Sequence, residues 1–253
     1  MRVDGSGRRL LTGTRLRAKR GDFSPNSRRL VFDGQAAGGG AFDFDIQVIG
    51  VDGHHRHRLT HGSVRDTEPH WSPAGNTIVF ERKHGEFGRS ELWTIRPGGG
   101  KPRRIGPGLS PVWSPSGRRL LFSLPNKRFG ADVYVMRADG TRLRALLRTP
   151  DDDYPAAWSR DGWVLLTRVS RTRPHADVFV LRSNGRGLRR LTRCMSFCYA
   201  ADFSPRGGRI LFTRVVNLQN TERGQVFAMR RDGSDQRNLS RNRADENAAS
   251  WGG

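Results

Sequence analysis

Side chains able to act as acids, bases or ligands cluster at a few places in this sequence. Four polar residues fall within six positions of one another, and an acidic segment lies near residue 151. Carboxylate, imidazole and phenol groups that converge could transfer protons or hold a ligand. The candidates are Arg65, Asp66, Glu68, His70, Asp151, Asp153, Tyr154 and Asp202. Loop capping and contacts between repeats explain the same residues, and the sequence favours that interpretation.

Aromatic residues with cationic neighbours form a second set of candidates. An arginine beside an aromatic ring suits an anionic or glycan-like ligand. This set contains Phe42, Phe87, Arg89, Phe129, Phe197 and Tyr199. Packing of these aromatic rings beneath their own loops is the alternative.

The sequence contains little that matches the linear motifs of metal, cofactor or catalytic sites. Asp151-Asp152-Asp153 offers oxygen ligands but lacks the spacing of a calcium loop. His55 and His57 share one face of a strand but lie at an exposed hairpin. No Gly-x-Ser-x-Gly elbow occurs, and Gly38-Gly39-Gly40 lacks the Lys-Ser/Thr ending of a phosphate loop. We therefore expect no metal site and no cofactor.

Cys194 and Cys198 are the only two cysteines of the chain. Two thiols without a second pair or flanking histidines make a poor zinc site. A short disulfide loop and a pair of reduced, half-buried thiols both fit the spacing. A disulfide would indicate an oxidising compartment.

These candidates lie between copies of one repeat. An aromatic-Ser-Pro segment recurs before an apolar run, as in Trp71-Ser72-Pro73 before Ile78-Val79-Phe80. The aromatic anchors are 48, 42, 45, 45 and 48 residues apart. They are Phe23, Trp71, Trp113, Trp158, Phe203 and Trp251. A period in the forties made of short β-rich runs is typical of propeller blades.

Each repeat predicts four short strands. The Ser-Pro-x-Gly turn joins the first two strands, an Asp-Gly or Asn-Gly hairpin joins the last two, and Arg-Leu-Thr lies on the fourth. We predict one all-β domain over residues 1–253, a propeller of six four-stranded antiparallel blades. The last blade would be built from both termini, from Val3-Asp4-Gly5 and Asn247 to Trp251, and would lack one strand.

The repeat of Trp-Ser-Pro-x-Gly, an Asp-Gly hairpin and Arg-Leu-Thr resembles the TolB-type, WD-repeat-like propeller family. The resemblance covers essentially the whole chain, whereas the N-terminal domain of TolB proteins has no counterpart here. It implies an extracytoplasmic protein, periplasmic or secreted. The same blades occur in prolyl-oligopeptidase-like proteins, so the resemblance constrains fold more than function.

The charge and apolar content of the chain limit the classes of partner that it is expected to bind. The net charge is +21, and arginine outnumbers lysine 41 to 4 with the arginines spread over every repeat. Specific nucleic-acid binding needs a clustered basic stripe, so we expect none. No apolar run reaches the length of a membrane span, and no signal segment opens the chain.

Because successive strands are antiparallel, the loops between second and third strands and those between blades fall on one face, the loop-rich face. These observations predict a monomeric, non-catalytic scaffold module that binds a protein partner or an anionic polymer through that face. The alternative is a glycan- or peptide-processing enzyme, or the propeller part of a prolyl-oligopeptidase-like protein.

Overall fold

The computed structural model describes residues 11–12, 16–36, 40, 43–85, 88–126, 130–218, 221–240 and 250. Within these ranges the chain forms twenty β-strands and no helix. The strands make five four-stranded sheets, each from four strands consecutive in sequence.

The first sheet contains β1 (Leu16–Phe23), β2 (Arg29–Ala36), β3 (Phe44–Gly50) and β4 (His57–Arg58). The second contains β5 (Arg65–Trp71), β6 (Ile78–Lys83), β7 (Ser90–Ile95) and β8 (Arg103–Pro107). The third contains β9 (Leu109–Trp113), β10 (Arg119–Pro125), β11 (Ala131–Arg137) and β12 (Arg144–Leu147). The fourth contains β13 (Asp152–Trp158), β14 (Trp163–Val169), β15 (Ala176–Arg182) and β16 (Arg189–Arg190). The fifth contains β17 (Cys198–Phe203), β18 (Arg209–Leu218), β19 (Thr221–Arg230) and β20 (Arg237–Asn238).

The number of blades corrects the prediction. The described residues form five blades, not six, and each blade is complete within one continuous segment of chain. The count of six assumed that a hairpin at Val3-Asp4-Gly5 and a strand ending at Trp251 would combine into one more blade. Apart from Ser250, those segments lie outside the described residues. The five blades need no strand borrowed from a terminus.

The described residues divide into two compact units. One holds the described residues from 11 to 124 and from 134 to 144, with the first two blades complete. The other holds those from 125 to 133 and from 145 to 250, with the last two blades complete. The single domain over residues 1–253 remains a prediction.

The Ser-Pro-x-Gly turns are held by their serines. In all five copies the serine Oγ accepts a hydrogen bond from the backbone N–H of the residue that opens or precedes the second strand, at 2.9–3.1 Å. The glycine takes a left-handed φ, +71° at Gly75 for example. In the first copy Ser27 occupies that position with a φ of +54°. The turn geometry therefore requires left-handed backbone, and glycine adopts it at least cost.

The Asp-Gly hairpins combine a side-chain acceptor with a left-handed glycine. Asp139 Oδ1 accepts from the backbone N–H of Thr141 at 2.9 Å, and Gly140 has a φ of +94°. Any Cβ on Gly185, the corresponding glycine of the fourth blade, would lie 2.6 Å from the carbonyl oxygen of Leu146 on β12. The glycine therefore also permits close approach of the preceding blade.

The Arg-Leu-Thr segment anchors the fourth strand to the third. Thr192 Oγ1 accepts from the backbone N–H of Val178 at 2.9 Å, Leu191 is buried, and Arg190 donates to Asp177. The first blade repeats the pattern with Thr60 and Arg58. The motif supplies one apolar and two polar attachments, so even a two-residue outer strand is held.

A β-bulge interrupts the first strand of every blade. In all five the register between first and second strands shifts within the five residues before the aromatic anchor, as between Thr67 and His70 on β5. Bulges redirect side chains and are over-represented beside functional sites. Buried apolar runs such as Ile78-Val79-Phe80 follow on the second strands and form the cores between blades.

Candidate functional site

Asp66 is held by an arginine of its own blade. It lies opposite Arg82 across β5 and β6, and the guanidinium donates from Nε and Nη2 to the two carboxylate oxygens, each at 2.7 Å. The Asp66 side chain has no exposed surface. The guanidinium also lies 4.6 Å from the ring centroid of Trp93. The carboxylate is thus occupied in joining the two strands.

The fourth blade repeats this pair at the same register. Arg168 lies opposite Asp153 and donates from Nε at 2.8 Å and from Nη2 at 3.1 Å. Thr149 Oγ1 donates a third bond to Asp153 at 2.7 Å. Burial raises the pKa of the Asp153 carboxyl, and the hydrogen bonds from Arg168 and Thr149 oppose that rise. The pair again links a first strand to a second.

The rest of the acidic segment bonds to backbone. Asp151 Oδ1 accepts from the N–H of Arg171 at 3.3 Å, and Asp152 Oδ1 accepts from the N–H of Ala131 at 3.0 Å. Tyr154 is half-buried on β13. These bonds fasten the segment to the loops that precede the third strands of two blades.

A carboxylate cluster, formed by Asp33, Glu68 and Glu81, lies at the bulge of β5. Glu68 has a φ of +54° and forms an ion pair with Arg20 of β1. Burial raises the pKa of Asp33 to about 7, which Arg20 opposes and Glu68 reinforces. Burial also raises the pKa of Glu81, and the charge of Glu68 adds to it. The cluster therefore contains carboxyls that exchange protons nearer neutrality than ordinary ones do.

Glu81 is also bonded to its neighbours. Ser90 Oγ donates to it at 2.6 Å, and the backbone N–H of Ser110, at the bulge of β9, donates at 3.3 Å. Thr167 accepts from the N–H of Ala200 in the same way at 2.8 Å. The residue after the apolar run thus reaches the first strand of the next blade.

The other candidates on β5 have separate environments. His70 Nδ1 lies 3.8 Å from Asp22 Oδ2, and the Arg65 guanidinium lies 5.7 Å from the ring centroid of Phe44. Of the four candidates on β5, which are Arg65, Asp66, Glu68 and His70, Glu68 alone belongs to the carboxylate cluster. Asp202 on β17 accepts a bond from Ser250 Oγ at 3.4 Å, and Arg89 is exposed before β7. Phe42, Phe87 and Phe129 lie outside the described residues.

The loops around β17 present cationic and aromatic groups together. A disulfide joins Cys194 to Cys198, with the Cα atoms 6.1 Å apart. The rings of Phe197 and Tyr199 stack with centroids 5.9 Å apart and planes 5° from parallel. The N–H of Ala176 donates to the carbonyl of Ser196 at 3.1 Å, which joins this loop to the loop before β15.

The basic–aromatic surface is defined here as Arg173, Arg193, Met195, Phe197 and Tyr199. Met195 is fully exposed, Tyr199 is 40% exposed, and both arginines are exposed. Neither arginine forms an ion pair with another residue of the described ranges. The surface thus combines two exposed arginines with a stacked aromatic pair, on two loops that the bond from Ala176 to Ser196 joins.

In the described part of the chain, no three His, Cys, Asp or Glu side chains are arranged so that they could hold a metal ion, and this includes the carboxylate cluster. His57 instead contacts backbone carbonyls, with Nδ1 3.1 Å from His55 O and Nε2 3.2 Å from Pro97 O.

Sequence reasoning missed Asp33, Glu81, Arg82 and Arg193. The signal for the first two was available, because the residue after each apolar run is polar: Asp33, Glu81, Ser123, Thr167 and Thr213. Arg82 also had a signal, because arginine recurs two residues after the apolar run at Arg168 and Arg214, whereas no repeat marks Arg193.

Comparison with solved structures identifies the fold. A protein from Agrobacterium tumefaciens described as TolB superposes with a TM-score of 0.74 at 20% identity, over 91% of this chain and 83% of that chain. TolB from Acinetobacter baumannii gives 0.69 at 16% identity, over 88% and 55%. Dipeptidyl peptidase 4 from Porphyromonas gingivalis gives 0.54 at 12% identity, over 87% and 36%. The chain has the TolB-type β-propeller fold, as the repeat predicted.

No protein-family model and no curated protein matches the sequence. No helix long and apolar enough to cross a membrane is present among the described residues. Identities this low establish a shared fold alone.

Proposed function

We propose that this protein is a non-catalytic binding module, and that its basic–aromatic surface holds an anionic polymer of the acidic-glycan class. The observation that carries the proposal is the stacked Phe197–Tyr199 pair, with two exposed arginines on the two loops joined by the bond from Ala176 to Ser196. Sugar rings pack on aromatic faces, while guanidinium groups bind carboxylates in two-pronged fashion. Neither group alone would distinguish an acidic glycan from other polyanions.

The scaffold favours binding over chemistry at this place. The surface is built from two loops and from Tyr199 on β17, and the disulfide and the bond from Ala176 to Ser196 hold the loops together. Loops held on a rigid sheet are common binding sites. The high positive charge of the chain would further speed the approach of an anionic polymer.

Binding of polygalacturonate, measured by titration calorimetry at near-physiological salt, tests the proposal. Arg173→Ser with Arg193→Ser should weaken binding at least about tenfold, since two charge-assisted contacts are lost. Arg160→Ser with Arg186→Ser is the matched control. It removes the same charge from exposed turns at the other end of the fourth blade. Tyr199→Ala should weaken the binding of polygalacturonate more than the binding of polyphosphate, a polyanion that has no sugar ring to stack on the tyrosine.

If the two double variants lost the same affinity for polygalacturonate, the effect would come from net charge alone. That result would overturn the proposed site. If Tyr199→Ala bound polygalacturonate as tightly as wild type, a glycan would not be the ligand of this surface.

A protein partner is the second candidate, because Met195 and Tyr199 expose residue types that are enriched at interfaces. A photo-crosslinking residue at Met195 should then give one discrete adduct in the native host that the same residue at Arg186 does not. Identical adduct patterns at the two positions would count against a partner on this surface.

An extracytoplasmic location completes the proposal and is supported by the disulfide, since such bonds persist in oxidising compartments. Fractionation of the native host should recover the protein outside the cytoplasm. Recovery in the cytoplasmic fraction would contradict this part.

A further inference from the structure

One position in the fifth blade breaks a pattern that two other blades keep. Asp66 lies opposite Arg82, and Asp153 lies opposite Arg168. At the same register of the fifth blade, Cys198 lies opposite Arg214. A half-cystine thus stands where the other blades have a carboxylate, and the arginine is retained.

Arg214 lies beside an aromatic ring, as Arg82 and Arg168 do, but it has no aspartate opposite it on the first strand. Its guanidinium lies 4.8 Å from the ring centroid of Phe227, as Arg168 lies 4.5 Å from that of Phe179. Its Nη2 donates to Gln236 Oε1 at 2.6 Å, while its buried Nε has no hydrogen-bond partner among the described residues. Burial lowers the pKa of Arg214, and Asp177 opposes this.

Asp177 is the anion facing Arg214, and its charge is already shared. Its carboxylate accepts from Arg190 Nη2, from Thr192 Oγ1 at 2.8 Å and from the N–H of Cys194 at 2.9 Å. Arg214 is therefore prepared for a second anion at the Cys198 position.

We propose that Cys194–Cys198 is a thiol–disulfide exchange site in which Arg214 receives the Cys198 thiolate. A dithiol reductant attacks Sγ of Cys194, the S–S bond breaks, and its electron pair leaves with Cys198 as a thiolate. The second thiol of the reductant loses its proton to solvent and attacks the reductant's own sulfur in the mixed disulfide. The bond to Cys194 breaks, and Cys194 leaves as a thiolate that takes a proton from solvent. The reductant is oxidised to its own disulfide, and the protein gains a Cys198–Arg214 ion pair equivalent to Asp66–Arg82.

Exposure determines which sulfur is attacked. Cys198 is fully buried, whereas Cys194 is half-buried and precedes the fully exposed Met195. An incoming thiolate therefore reaches Cys194, which leaves Cys198 as the departing sulfur next to Arg214. Exchange proceeds faster when the departing thiol is a stable thiolate.

The test is the equilibrium between the protein and dithiothreitol, followed by alkylation and mass spectrometry on the full chain. Arg214→Met should shift the equilibrium toward the disulfide by about tenfold, equivalent to one pKa unit of lost thiolate stabilisation. Arg214→Lys should retain part of the effect. Arg186→Met, which removes an exposed charge on the Asn184-Gly185 hairpin, should leave it unchanged. Equal equilibria for wild type, Arg214→Met and Arg186→Met would overturn the proposal.

A second measurement does not depend on the folding of Arg214→Met. In Cys194→Ser the single thiol of Cys198 should ionise below about 8.5, the value of an ordinary cysteine, as followed by thiolate absorbance. Ionisation above that value would show that burial outweighs Arg214, and the site would not exchange as described. Neither test depends on the proposed function.

Discussion

Asp66 and Arg82 face each other across two neighbouring strands and share two hydrogen bonds of 2.7 Å, with the carboxylate wholly buried. A buried ion pair adds little net stability, but removal of one member leaves an uncompensated charge. Its main structural effect is to fix the register between β5 and β6.

Replacement of Arg82 by methionine should destabilise the protein by about 3–5 kcal/mol, because Asp66 keeps its burial and loses its counter-ion. Asp66→Leu combined with Arg82→Met should cost less than Arg82→Met alone, since no charge then remains. Urea unfolding of the three variants measures this. A loss below about 1 kcal/mol for Arg82→Met would show that water or another cation reaches Asp66.

Asp33 should make stability depend on pH. Its folded pKa of about 7 lies above its ordinary value of 3.8, so the folded state binds the proton more tightly than the unfolded state does. The resulting stabilisation is present below pH 3.8 and is lost as pH rises to 7. Asp33→Asn should therefore be more stable than wild type at pH 8, by up to about 4 kcal/mol.

The measurement is the free energy of unfolding at pH 4 and pH 8 for both proteins. Glu81 has a raised pKa as well, so the wild-type slope includes its contribution, and the difference between the two proteins isolates Asp33. A difference that is the same at both pH values would contradict a raised pKa.

Two glycines with left-handed backbone should differ in their tolerance of alanine. Gly75→Ala should cost about 1 kcal/mol, the penalty of left-handed φ alone, because its Cβ would meet nothing nearer than Pro25 at 3.6 Å. Gly185→Ala should cost at least about 2 kcal/mol, since its Cβ would also lie 2.6 Å from the Leu146 carbonyl oxygen. Thermal unfolding compares them, and equal losses would exclude a steric role for Gly185.

Trp113 provides a test of packing. It borders the apolar cluster that contains Leu92, Leu120 and Phe122, and its Nε1 donates to the carbonyl of His70 at 3.2 Å. Trp113→Ala should cost about 3–5 kcal/mol, as for large aromatic side chains in cores. Trp113→Phe should cost about 1 kcal/mol, chiefly the hydrogen bond. An alanine loss below about 1 kcal/mol would place the indole outside the core.

The periodic features of the fold could be predicted from sequence because they depend on local chemistry. Ser72 and Asp139 hold turns within a few residues of themselves, so their motifs are visible in the chain. The number of blades could not be predicted this way, because a motif such as Val3-Asp4-Gly5 indicates a local hairpin and does not show whether a complete blade forms around it.

The candidate site was harder to predict because its contacts join residues far apart in sequence. Glu68 meets Arg20, 48 residues away, and nothing in the local sequence marks either as a partner. Cys198 shows its significance only when the blades are compared, since it occupies the register that carries aspartate in the second and fourth blades.

The construction of each sheet from four consecutive strands bears on how the chain folds. Every pairing within a blade joins neighbours in sequence, so a blade can form before distant parts of the chain have been synthesised. Contacts such as that between Gly185 and Leu146 then let a completed blade serve as a template for the one that follows. Assembly can thus proceed stepwise along the polypeptide, with each step closing only a short loop.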